Sequence, residues 1–156
     1  MSVASVVQLL DKLRDRGLTL AVAESLTGGL LAAAFTAVPG ASDVFRGGVV
    51  SYATDLKGSL LGVDENLLAQ RGPVDAEVAS SMAVGVARAC RADIGVATTG
   101  VAGPDPLGDC QPGLVYIAVV GPWGSKSRQE LFTGNREAIR ASSVRSALSL
   151  LDDLLA

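Results

Sequence analysis

Short apolar runs alternate with helix-period segments along almost the whole chain, and this alternation constrains the fold more than any other feature of the sequence. Residues 18–23, 45–52, 94–98 and 114–120 are strand-length and mostly apolar, and turn formers stand beside them. Between them run helical patterns. Val3, Val6, Leu10 and Leu13 precede a stop at Gly17, residues 30–38 lead to Pro39-Gly40, and Val78, Met82, Val86 and Ala89 share one face. Ile139, Val144, Leu148, Leu151 and Leu155 form the last inward stripe. Strands that take turns with helices are covered on both sheet faces, so the pattern predicts an α/β chain folded as a three-layer α/β/α sandwich with about five strands. Gly121-Pro122-Trp123-Gly124 is a turn short enough to join antiparallel neighbours, which pairs residues 114–120 with a strand over about 127–133. The sheet is therefore expected to be mixed and mostly parallel.

Local signals refine this order. Thr54 or Asp55 can cap a short helix that carries Lys57 and stops near Gly62, while Asp64, Asp75 and Asn135 each stand where an N-cap belongs. A chain of 156 residues suffices for one domain with a real core, and residues 1–156 read as one unit without repeats or linkers. Apolar residues make up 49% but aromatics only 4%, so the core must be built from Ala, Val and Leu. Cys90 lies in a helical pattern and is expected to be a small core residue; neither it nor Cys110 belongs to a CxxC motif.

Charge and hydropathy exclude several classes. The formal charge is −3, with no basic run, which argues against nucleic acid as the principal ligand. No apolar run approaches bilayer length and no charged leader precedes an apolar block, so the expectation is a cytoplasmic protein with no membrane partner. Histidine is absent altogether. That removes the Ser-His-Asp and Cys-His triads and the usual zinc sites, so no metal and no cofactor is expected and any hydrolytic base must be another residue.

Ligands of open α/β sheets gather beyond the carboxyl ends of parallel strands, and three segments end there: residues 24–29, 52–57 and 98–106. The first places Ser25 and Thr27 at a strand-to-helix turn ahead of Gly28 and Gly29. Such a turn serves as a nucleophile elbow, an oxyanion hole, an anion cradle or simply a helix cap. In the second, Lys57 is the one lysine of three that follows a strand end; Lys12 falls on the exposed side of the first helix and Lys126 in a turn. A lysine whose pKa is lowered by burial can deprotonate a serine, with Tyr52 close by to relay or orient the proton; otherwise Lys57 is a solvated helix residue. The third segment is rich in glycine and too long for a plain connection, which suits either a ligand-closing loop or a surface that meets a second subunit.

Five separated blocks together resemble the CinA C-terminal domain family: AESLTGG (residues 23–29), GGVVSYATDLKGSLLGV (47–63), TTGVAGPD (98–105), VYIAV (115–119) and FTGNREAIR (132–140). The resemblance covers nearly the whole chain in one order. It implies a three-layer sandwich, a homodimer, and hydrolysis of the carboxamide of nicotinamide mononucleotide to nicotinic acid mononucleotide and ammonia. It also implies Ser25 as nucleophile, Lys57 as its base and Tyr52 as relay or orienting group. Thr27, Gly28, Gly29, Thr99 and Gly100 would hold the substrate and its oxyanion, and Arg136 or Arg140 the phosphate. Some relatives carry a further hydrolase domain, and only the deamidase half is expected here. The chain departs from the family's usual residues at Leu26 (often Cys), at Thr54 or Asp55 (Asn), at Asn135 (Asp) and around Cys110-Gln111-Pro112-Gly113. Two other readings are a nucleotide-binding regulatory module associated with competence or DNA damage, and a hydrolase of another small amide or nucleotide.

Overall fold

The computed structural model describes residues 5–156, so Val3 lies outside the described residues. In chain order the elements are α1 (Val6–Asp15), β1 (Leu20–Glu24), α2 (Leu30–Thr36), a short 3-10 turn (Ala41–Asp43) and β2 (Phe45–Val50). Next come α3 (Thr54–Leu61), α4 (Glu65–Arg71), α5 (Ala76–Cys90), β3 (Ile94–Gly100), β4 (Leu114–Gly121), β5 (Gly124–Leu131) and α6 (Arg136–Leu154). The five strands form one sheet in the order β2-β1-β3-β4-β5. β1 runs parallel to β2 and β3, whereas β3–β4 and β4–β5 are antiparallel, so the sheet is mixed and four of its five strands point the same way, β4 alone being reversed.

Alternation along each inner strand sends its side chains to two different cores. Leu20, Val22, Ile94, Val96, Ile117 and Val119 pack beneath α1, α2 and α6 with Leu13, Phe35 and Leu151. Ala21, Ala23, Ala97 and Ala118 face α5, where Val78, Met82 and Val86 meet them. The second face is built from small residues because α5 lies very close to the sheet. A Cβ at Gly95 would stand 2.0 Å from the Ala83 carbonyl oxygen of α5, and α5 in turn lies as close to α3, where a Cβ at Gly85 would stand 1.9 Å from the Leu61 carbonyl oxygen. The scarcity of aromatic residues thus has a structural cause on this side.

The caps at Asp64, Asp75 and Asn135 form as the sequence suggests, each side chain accepting from a backbone N–H of the next helix's first turn. The α3 helix differs. Its N-cap is Ala53 without a side-chain hydrogen bond, so neither Thr54 nor Asp55 does that work. At α1 a reciprocal pair, Ser5 with Gln8, closes a capping box that periodicity did not reveal. On α5 the inward face is Val78, Ala79, Met82, Ala83 and Val86; Ala89 is exposed and Cys90 only half-buried, because the last turn runs past the edge of the core. Lys12 is not a free surface lysine, since it pairs with Asp152 of α6 at 2.5 Å. Lys126 lies inside β5, which begins at Gly124 because the turn is only the two residues Pro122-Trp123.

Candidate active site

Ser25 follows the last residue of β1. Its N–H donates to the Thr98 carbonyl at 3.0 Å and its own carbonyl accepts from Gly28 N–H at 3.0 Å. Gly28 (φ 56°) and Gly29 (φ 105°) then take the chain through left-handed backbone that side-chain-bearing residues rarely adopt. Gly29 is the N-cap of α2 and has no side chain to offer. The Glu24 carboxylate substitutes for it, accepting from Leu31 N–H at 2.8 Å and Ala32 N–H at 3.0 Å while almost wholly buried. A hydrogen bond of 2.8 Å between the buried hydroxyls of Thr27 and Thr98 ties the same turn to β3. The serine is therefore held by β1, β3 and α2 together.

Lys57 sits one turn into α3 and is 1% exposed. Its ammonium donates to the Ser51 carbonyl at 2.6 Å and to Ser25 Oγ at 3.0 Å. No carboxylate pairs with it among the described residues, and burial lowers its pKa from 10.5 to about 8. Desolvation disfavours the charged amine, and two neutral acceptors repay only part of that cost. Once a proton is lost, the remaining N–H can still donate to Ser51 while the lone pair faces Ser25. The serine hydroxyl can then donate to nitrogen, the geometry a general base requires.

Both side chains open on a cavity of about 330 Å³ whose wall also includes Tyr52, Thr99, Gly100 and Arg136. Leu26, Ala102 and Leu107 give it an apolar flank. Arg136 reaches across, donating from Nη2 to the Tyr52 hydroxyl at 3.1 Å and from Nη1 to the Gly103 carbonyl at 2.7 Å. Tyr52 is 60% exposed and so stands at the rim rather than beside the buried amine. Thr99 Oγ1 donates to the Pro73 carbonyl at 2.6 Å, fixing the floor of the cavity to the α4–α5 connection.

With this geometry in place, similarity to known proteins becomes informative: residues 3–155 match the CinA C-terminal domain. The chain belongs to that family. A CinA-like protein of Frankia casuarinae is 52% identical over 148 residues, covering 95% of this chain and 34% of its own length. A CinA-like protein of a Synechococcus species is 50% identical, covering 96% of this chain and 36% of the relative. The chain thus spans about a third of the length of these curated relatives. Among solved structures, a CinA superfamily protein of Klebsiella pneumoniae superposes with a TM-score of 0.93 at 32% identity, covering 96% and 94% of the two chains. A competence/damage inducible protein of Agrobacterium tumefaciens gives 0.89 at 34% identity over all of both chains.

Within this CinA domain the remaining sequence candidates fall into distinct places. Thr27 is wholly buried, with its hydroxyl committed to Thr98, and Gly28 and Gly29 shape the turn. Arg140 lies behind that turn, its Nε donating to the Leu26 carbonyl at 2.9 Å and its Nη2 to the Thr27 carbonyl at 3.2 Å. Asn135 accepts from Ala138 N–H at 2.9 Å, the task an aspartate would perform there. Sequence reasoning passed over Glu24, Ser51 and Thr98. An acidic residue ending an otherwise apolar buried strand was the available signal for Glu24; Ser51 acts through its carbonyl, and Thr98 through its carbonyl and a hydroxyl bonded to a residue 71 positions away, so neither left a local signal. Among the described residues, no helix is long and apolar enough to cross a membrane.

Proposed function

We propose that this CinA domain hydrolyses the carboxamide of nicotinamide mononucleotide, giving nicotinic acid mononucleotide and ammonia. The observation that carries the reading is the buried Lys57–Ser25 contact of 3.0 Å on the cavity wall. In the first half-reaction neutral Lys57 takes the Ser25 proton as Oγ bonds to the carboxamide carbon. The C–N bond then breaks, and the amide nitrogen leaves as ammonia with the proton Lys57 held. In the second half, water gives its proton to Lys57 and attacks the acyl carbon, the Oγ–C bond breaks, and Ser25 recovers its proton. The N–H groups of Leu26, which lines the cavity, and of Thr27, wholly buried next to it, follow the nucleophile and make no backbone hydrogen bond among the described residues, and both are assigned here to the oxyanion.

The nucleotide substrate is taken from the family resemblance, and the shape of the cavity is compatible with it. A volume of about 330 Å³ suits the pyridine ring and its amide better than a whole nucleotide. The ribose phosphate would then lie at the mouth, where Arg136 can exchange its Tyr52 hydrogen bond for a phosphate oxygen. Thr99 and Gly100 border the ring.

The test is ammonia release by the purified chain from nicotinamide mononucleotide, its riboside and free nicotinamide. The nucleotide should be preferred, since remote binding energy can be applied at the reacting amide. Equal rates on free nicotinamide would overturn the substrate. Thermal stabilisation by the nucleotide without ammonia would favour a binding module instead.

A further inference from the structure

We infer that Arg140 is a positioning residue for the serine turn rather than a ligand of the phosphate, an inference that rests on the serine-nucleophile reading above. Both of its described hydrogen bonds go to consecutive backbone carbonyls, Leu26 and Thr27, which immediately follow Ser25. The planar guanidinium fork matches two acceptors at once, as a lysine cannot. Each carbonyl shares a rigid peptide plane with the next residue's N–H, which points the opposite way. Holding Leu26 C=O therefore fixes the direction of Thr27 N–H, and the adjacent cation polarises that peptide so that its N–H becomes a stronger donor. Thr27 N–H is one of the two groups left for the oxyanion.

Gly28 supplies an independent observation. A Cβ at this position would meet Arg140 Nη2 at 3.3 Å, tighter than ordinary contact, so the absence of a side chain admits the guanidinium to the turn. From the other side the Thr27–Thr98 hydroxyl pair holds Thr27, the residue before Gly28. The turn is gripped between β3 and α6, and only the α6 grip carries charge. Two of its five N–H donors are committed to the turn, and Arg140 is not among the residues lining the cavity, whereas Arg136 is.

The experiment measures acylation of Ser25 by p-nitrophenyl acetate, a neutral ester without phosphate, in the wild type, Arg140→Ala and Arg140→Lys. The ester C–O bond breaks as Oγ acylates, p-nitrophenolate leaves as the chromophore, and Lys57 retains the serine proton. Arg140→Ala should slow acylation roughly a hundredfold, the scale of a misplaced oxyanion donor, with a pH midpoint still near 8 because the Lys57 contacts are untouched. Added guanidinium ion should restore part of the rate, and Arg140→Lys should lose about tenfold, since it can reach one carbonyl but not both. On amide substrates the loss should fall on kcat and be equal for nucleotide and nucleoside. A folded Arg140→Ala protein acylated at the wild-type rate overturns the inference, as does a loss confined to KM for the phosphate-bearing substrate. If Arg140→Ala fails to fold, Arg140→Lys decides by the same readout. A wild type that takes no acyl group on Ser25 sinks the serine mechanism itself, and this inference with it.

Discussion

The two halves of the sheet divide the work differently. β1, β2 and β3 run parallel, so their carboxyl ends open on one rim, where Ser25 just after β1, Lys57 on the helix after β2 and Thr99 at the end of β3 meet at a common cavity. The antiparallel half, β4 and β5, contributes no residue to the cavity wall. Its part is delivery. β4 starts beside Gly100 at the site rim, runs to the far rim, turns through Pro122-Trp123, and β5 returns the chain to Leu131. That return places the start of α6, with Arg136 and Arg140, against the site. Burial follows position in the sheet: β1 has a neighbour on each side and is buried throughout, whereas the edge strands are open, β5 mostly exposed and β2 alternately so.

The sharpest way to break this comparison is to remove the pair supplied by the parallel half. Ser25→Ala and Lys57→Ala should each reduce ammonia release by about three orders of magnitude or more, and the double variant should be little worse, because members of one catalytic unit are not additive. Lys57→Arg should fail equally, since arginine cannot give up its proton at ordinary pH; steady-state rates on circular-dichroism-verified protein check all four. Next in size, Tyr52→Phe should cost on the order of a hundredfold in kcat if its hydroxyl helps the proton move, with an unchanged melting temperature. An effect on KM alone would make Tyr52 a binding residue of the rim.

The pH dependence follows from Lys57. Below about pH 8 the folded amine is protonated, so the rate should rise up to about tenfold per pH unit and level off above that value. Stability moves in the same direction. The folded pKa lies below the unfolded one, so the charged amine costs folding free energy below about pH 8, and that cost fades between about 8 and 10.5. Lys57→Met should accordingly stabilise the inactive protein at pH 7 by roughly 1–2 kcal/mol, after discounting for solvent that reaches the cavity, with the gain gone by pH 11. Chemical denaturation at the two pH values measures it. The smallest effect belongs to the other half: Lys126→Gln on exposed β5 should change stability by less than about 0.5 kcal/mol and leave kcat unaltered.

Much of the layer order was legible because periodicity and capping are local. Asp64, Asp75 and Asn135 each read as a cap and each caps, and the 121–124 turn required an antiparallel neighbour. The lack of histidine drew attention to Lys57, but nothing local indicated that its amine is buried against the Ser51 carbonyl. Contacts across long separations stayed hidden for the same reason. Glu24 caps a helix that begins beyond two left-handed glycines, and Arg140 meets carbonyls more than a hundred residues upstream. Ala89 matched the helical stripe yet is exposed, because a stripe does not reveal where the sheet beneath it ends.

The grip of α6 on the serine turn bears on the protein's synthesis. Ser25 and Lys57 are translated before Thr98 and Arg140; at about 5–20 residues per second the interval from Lys57 to Arg140 lasts on the order of several seconds. During that time the nascent chain holds Ser25 and Lys57, the proposed nucleophile and base, but lacks at first the Thr98 partner of the turn and throughout the Arg140 guanidinium that bonds to it. On the serine–lysine reading, reactivity would therefore arise only when α6 docks, and the emerging polypeptide would be spared a working acyl-transfer centre before this sandwich has closed.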